Sequence, residues 1–237
     1  MGRNSAAFFS DEEKKMIETT ISEVESRTSG EIVAMVVDQS GEYSDIDVIG
    51  SVLIAGCLAV YPSGLFYELS EKILHKIIPA VSWTADIPML PHFFFGRGAF
   101  VLFTIIFYFP LLWLLRKVSV LKRLFLTDRR KEREIRLRAL RAFHEHRLDR
   151  TREATGVLFL ISLLERKVYV LADHGIYNRI SQSALDGFAA TVAEGIAARR
   201  SGESLCLTIR AIGVDLARHF PRRADDVNEL SDKVITD

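Results

Sequence analysis

Two uncharged runs, Val48–Tyr67 and Gly98–Leu115, constrain this chain more than any other feature of it. Each is close to the roughly 20 apolar residues that an α-helix needs to cross a hydrocarbon core about 30 Å thick. A soluble domain within 237 residues has little interior in which to hide two such helices. The pair therefore predicts a transmembrane helical hairpin, with the rest of the chain as a soluble part attached to it. Gly50 and Gly56 would let the helices approach closely, the Pro62–Gly64 stretch is expected to break the first span near its end, and Pro110 is expected to kink the second. Between the spans, Leu69, Ile73, Leu74, Ile77 and Ile78 are opposed by Glu71, Lys72, His75 and Lys76. That pattern suits a helix lying in the membrane interface, with Trp83 as its anchor.

Charge then gives an orientation. The chain has 31 Lys and Arg against 31 Asp and Glu, so no overall field favours nucleic acid as a partner. The distribution is uneven. Arg116, Lys117, Lys122, Arg123, Arg129, Arg130, Lys131 and Arg133 follow the second run, whereas the connection offers Lys72, Lys76 and Arg97. Positive charge is retained in the cytoplasm, so both termini are expected there, with the lipid bilayer itself as a partner. Residues 1–10 lack the basic and apolar regions of a signal peptide, which leaves targeting to the hairpin. Cys57 and Cys206 have no spacing that suggests zinc or a disulfide framework.

The flanking pieces read as alternating helices and strands. Ser10 and Glu13 form a capping-box pattern ahead of the stripe Met16, Ile17, Ile21 and Val24, with Gly30 as the stop. Ile32–Val37 is continuously apolar, as in a strand covered on both faces. Asp128–Leu148 predicts a helix with Glu132–Arg136 and Glu134–Arg138 pairs. Gly156–Leu163 and Lys167–Ala172 predict an antiparallel hairpin turning at Glu165 and Arg166. One helix opens at Ser181, and another runs through Leu205 to Leu216 and stops at Phe220 before Pro221. The simplest organisation is one α/β domain made of residues 1–45 and 119–221, interrupted by the hairpin at 46–118 and followed by a polar tail at 222–237.

The runs Thr28-Ser29-Gly30-Glu31-Ile32-Val33, Thr155-Gly156-Val157-Leu158-Phe159, Leu164-Glu165-Arg166-Lys167-Val168, Asp173-His174-Gly175-Ile176 and His219-Phe220-Pro221 occur in an order that resembles the TPM domain family. That group joins a thylakoid lumen protein, a photosystem II repair protein and an acetylcholine-receptor modulator. This chain looks like a bacterial, membrane-anchored branch of it. The resemblance implies a small Rossmann-like α/β sandwich, a multi-pass protein of the bacterial inner membrane and a role among other membrane proteins. It also implies calcium or another divalent ion in some members and weak acid phosphatase activity in others. The chain departs from the family pattern at Ala6-Ala7-Phe8-Phe9 and at Tyr177, where acidic residues often stand.

No nucleophile elbow, phosphate-binding loop or zinc-protease pattern is present. With the first two strands parallel and the third antiparallel to them, Glu31, Asp149, Arg152, Thr155, Asp173 and His174 share one sheet edge, and Arg179 follows closely. Glu31, Asp149 and Asp173 are the candidate metal ligands; Asp173, His174, Arg152 and Arg179 are the candidate catalytic groups. An ordinary polar rim would carry the same residue types. Two functions stay open: a membrane-tethered binding or assembly module, and a weak metal-assisted phosphatase. Transport is disfavoured, because neither run carries an acidic, basic or histidine side chain.

Overall fold

The computed structural model describes residues 4–77, 97–118, 122, 123, 125–223, 225 and 228–237. The chain folds as two units, one made of residues 3–42 and 127–237 and the other of residues 43–126.

In the first unit, α1 (Asp11–Glu25) starts at the expected capping box, with Ser10 Oγ accepting the Glu13 N–H at 3.1 Å and Glu13 accepting the Ser10 N–H at 2.9 Å. It leads into β1 (Glu31–Val37). After the second unit come α4 (Asp128–Glu145), β2 (Gly156–Ser162), β3 (Lys167–Ala172), the short α5 (His174–Tyr177), α6 (Gln182–Ala197), α7 (Ser201–His219) and β4 (Ile235–Thr236). The four strands form one mixed sheet in the order β3-β2-β1-β4, with β1 parallel to β2 and β4, and β3 antiparallel to β2. Every residue of β1 and β2 is buried. On one face, Ile32, Ala34, Val36, Val157, Phe159 and Val170 meet apolar residues of α1, α6 and α7. On the other, Val33, Met35, Leu158, Leu160 and Leu171 meet Ile135, Ala139, Ala142 and Phe143 of α4. Helices on both faces explain why these strands are apolar throughout rather than alternating.

Residues 222–237 do more than a polar tail would. Ile235 and Thr236 pair with Met35 and Val36, and Ile235 and Leu230 cover the α4 face of the sheet. A two-residue strand among acidic neighbours leaves no period to detect, which is why composition alone points to a tail. The two helix-surface ion pairs expected on α4 are also replaced. Glu132 accepts from Lys167 at 2.7 Å, and Arg138 donates to Glu145 at 2.9 Å and to Asp237 at 2.5 Å. Lys167 and Asp237, brought in by the fold, and Glu145, two turns along α4, outcompete neighbours one turn away, because such surface pairs are worth only about 0.2–0.5 kcal/mol.

In the second unit, α2 (Ser44–Ile77) and α3 (Gly98–Lys117) are both long and apolar enough to cross a membrane. Most of their large apolar side chains are exposed, Val60 by 61% and Phe109 by 64%. The Pro62–Gly64 stretch does not end α2, which runs on to Ile77, so Tyr67 and the first part of the expected interfacial segment lie within it. Beside the proline, Ser63 Oγ donates to the Val60 carbonyl at 2.9 Å. Gly50 packs as expected, since a Cβ there would lie 3.3 Å from Leu115 Cδ1 of α3, whereas Gly56 has open space around it; the other small residues that pack inward are Ser51, Ala55, Ala59 and Ser63, one every fourth position along a single face. Asp47 begins that face, and its carboxylate is held by Lys122 at 3.0 Å. Ile78 and Trp83 of that expected interfacial segment lie outside the described residues.

Candidate functional site

Hydrogen bonding in the sheet builds the polar edge. Glu31 N–H donates to Thr155 O at 3.2 Å and Asp173 N–H donates to Gly156 O at 2.8 Å, which brings the start of β1, the start of β2 and the end of β3 level with one another. Gly175 closes the corner. Its N–H donates to Ala154 O at 3.2 Å, and a Cβ there would lie 2.6 Å from that oxygen. Only glycine permits the approach.

The side chains along this edge are committed to several separate partners. Glu31 is buried, and its carboxylate accepts the Glu229 N–H at 3.1 Å. Thr155 donates to Ser29 O at 2.8 Å. Asp149 lies in the 3-10 turn Leu148–Arg150 and faces His144 Nδ1 at 2.9 Å, a hydrogen bond that holds its carboxyl below the usual range. Arg152 donates its backbone N–H to Glu229 at 3.1 Å and reaches Asp225 at 3.5 Å. Asp173 caps α5 by accepting the His174 N–H at 2.6 Å; its other carboxylate oxygen, Oδ2, is buried without a hydrogen bond among the described residues. His174 and Arg179 are exposed. Among the described residues no three His, Cys, Asp or Glu side chains are grouped to hold a metal ion. Glu31, Asp149 and Asp173 share the edge without forming such a group.

A tighter cluster sits nearby and uses residues that the sequence pattern does not single out. Glu25, at the end of α1, accepts the Ile32 N–H at 2.9 Å and lies beside Glu31, Asn228 and Asp232. Asn228 donates to Asp232 at 2.7 Å. Burial, together with the charges of Glu31 and Asp232, pushes the Glu25 carboxyl up to about 8, against the single favourable effect of the Ile32 N–H. Glu25 is therefore mostly protonated at neutral pH. A cavity of about 130 Å³ opens beside it, lined by Ser22, Thr28, Glu31, Arg222 and Asn228 among others. Residues 228–232 are remote in sequence from Glu25, and a lone glutamate ending an amphipathic helix gives no signal of its own.

Comparison with known proteins adds the fold and no more. No family model and no characterised protein matches the chain. The solved structure of the BA42 protein from the psychrophilic bacterium Bizionia argentinensis, determined by NMR, superposes with a TM-score of 0.52 at 17% sequence identity, over 97% of this chain and 96% of that one. At that identity the likeness is one of architecture.

Proposed function

We propose that this is an integral membrane protein of the bacterial inner membrane whose α/β unit, a TPM-like Rossmann-type sandwich, is a cytoplasmic binding or assembly module for other membrane proteins. The observation that carries this reading is the exposed apolar surface of α2 and α3. Side chains such as Val60, Phe109 and Trp113, all more than half exposed, are costly in water and suited to lipid. α3 alone, at 20 residues, rises about 30 Å, the thickness of a bilayer core. The basic residues after α3 favour cytoplasmic termini. The polar edge supports binding over hydrolysis because Glu31 accepts a backbone N–H, Asp149 faces a histidine and Asp173 uses one oxygen as a helix cap.

The phosphatase alternative has one observation in its favour. The buried Oδ2 of Asp173 lies beside the exposed His174, an acid and a base at one strand end. Purification of the full chain from native membranes in mild detergent separates the two. The binding reading expects membrane proteins to co-migrate with it in fixed ratio and expects no hydrolysis of para-nitrophenyl phosphate. A free protein with phosphatase turnover that Asp173→Asn abolishes would overturn it.

A further inference from the structure

α7 (Ser201–His219) packs on α1 and α6 and turns one face into the core, where Leu205, Ile209, Ile212 and Leu216 are fully buried. Glu203, Leu207, Arg210, Ala211, Val214 and Arg218 are exposed on the opposite side. At about 100° per residue they fall within roughly a third of the helix circumference, so they form one face. Leu207, 55% exposed, and Val214, 71% exposed, are the two most exposed large apolar side chains among the described residues of the α/β unit. Exposed apolar residues are ordinarily scattered singly, whereas these two stand two turns apart on one face.

Outward from its centre, between Arg210 and Ala211, this face complements itself. Val214 lies as far from the centre as Leu207 does on the other side, and Arg218 as far as Glu203. A second α7 laid antiparallel on the first therefore brings Leu207 onto Val214 and Glu203 beside Arg218, and symmetry makes each contact twice. A parallel copy would instead set Glu203 against Glu203 and Arg218 against Arg218. The charges are free to respond: Arg218 has no ion pair among the described residues, and Glu203 reaches Arg200 only at 4.0 Å. Beside Val214, α1 and α7 leave a hollow of about 330 Å³ with Val24, Gly213 and Ala217 in its lining, which gives a Leu207 side chain from a second copy room to settle.

We propose that two copies of this chain associate through α7, antiparallel about a two-fold axis between Arg210 and Ala211, with Leu207 of each against Val214 of the other and Glu203 of each beside Arg218. This goes beyond the binding-module reading and does not depend on it. The apolar pair supplies attachment, and the charges at the two ends fix the direction. The face is small beside the roughly 20–30 residues a side of a standard interface, so the dimer is a weak one, with a dissociation constant of about 10–100 µM.

The test uses the full chain in detergent micelles, with the protein mass per micelle followed by light scattering. A monomer–dimer equilibrium is expected, and Val214→Asp should weaken it by about tenfold or more. Glu203→Arg or Arg218→Glu alone should each weaken it by about tenfold, and the two together should restore it to within about threefold. In native membranes, with Cys57 and Cys206 replaced by serine, Ala211→Cys stands beside the axis and should oxidise to an intermolecular disulfide. Glu203→Cys, roughly 22 Å from its symmetry mate, should not. A chain that stays monomeric up to about 300 µM would overturn the proposal. So would a dimer indifferent to Val214→Asp, which would place the contact on the membrane helices, and so would charge reversals without rescue. Self-crosslinking at position 203 would mean a parallel pair and would overturn it equally.

Discussion

Glu25→Gln should remove most of the pH dependence of stability that the α1–β1 corner confers. The wild-type carboxyl is moved from 4.5 to about 8 by burial first and then by Glu31 and Asp232. A folded-state pKa above the unfolded one favours the folded chain below the unfolded value. That advantage is lost as pH rises through the folded value. The relevant window is therefore about pH 4.5 to 8. The full shift would correspond to roughly 5 kcal/mol at about 1.4 kcal/mol per unit. The side chain is half-buried rather than sealed, and solvent screening reduces the effect to about 2 kcal/mol. Glutamine keeps the acceptor for the Ile32 N–H and cannot ionise. Chemical unfolding of both proteins at pH 5 and pH 9 gives the readout: the wild type should lose about 2 kcal/mol relative to Glu25→Gln across that range. Exchange at the Asp237 N–H, bonded to Val36 O at 3.0 Å, should accelerate over the same window as the carboxylates repel residues 228–237. Parallel pH profiles for the two proteins would refute the reasoning.

Two further substitutions probe packing. A Cβ on Gly213 of α7 would fall 2.4 Å from Val24 Cγ1 of α1, so Gly213→Ala should cost about 1–3 kcal/mol. Val24→Ala in the same chain should recover part of that, a non-additivity visible in thermal melts. Asp47→Ala should leave the Lys122 ammonium, only 12% exposed, without its counter-ion, and should destabilise the helical unit by about 3–5 kcal/mol in detergent unfolding. Asp47→Ala with Lys122→Met should cost clearly less, and equal costs would mean that the pair is not coupled.

Much of the architecture was legible in the chain because its signals are long or repeated. The apolar runs at Ile32–Val37 and Gly156–Leu163 announce strands covered twice, and the Ser10–Glu13 box marks the start of α1 to the residue. The extent of α2 past Pro62 was not legible. A proline signals a break, whereas neighbouring side chains and helix contacts decide whether one occurs. Gly50 did mark a close approach to α3, but the small-residue face of Ser51, Ala55, Ala59 and Ser63 was hidden behind the more conspicuous Gly56. At the polar edge, strand order correctly brings Glu31, Thr155 and Asp173 level, but sequence cannot say where a carboxylate points. Glu31 accepts a backbone N–H, Thr155 donates to a carbonyl, and Asp173 caps α5 with one oxygen and buries the other. The Glu25 cluster depends on residues 228–232 returning to α1, a contact across some 200 positions that no local pattern encodes.

The most direct test of the central claim, a membrane hairpin carrying a cytoplasmic α/β unit, is thiol accessibility. In a chain with Cys57 and Cys206 replaced by serine, single cysteines at position 85, between the spans, and position 233, in the segment that leads into β4, are exposed to a membrane-impermeant maleimide in cells with an intact inner membrane. The account predicts labelling at 85 and protection at 233 until the cells are lysed. Labelling at 233 with protection at 85 would contradict it.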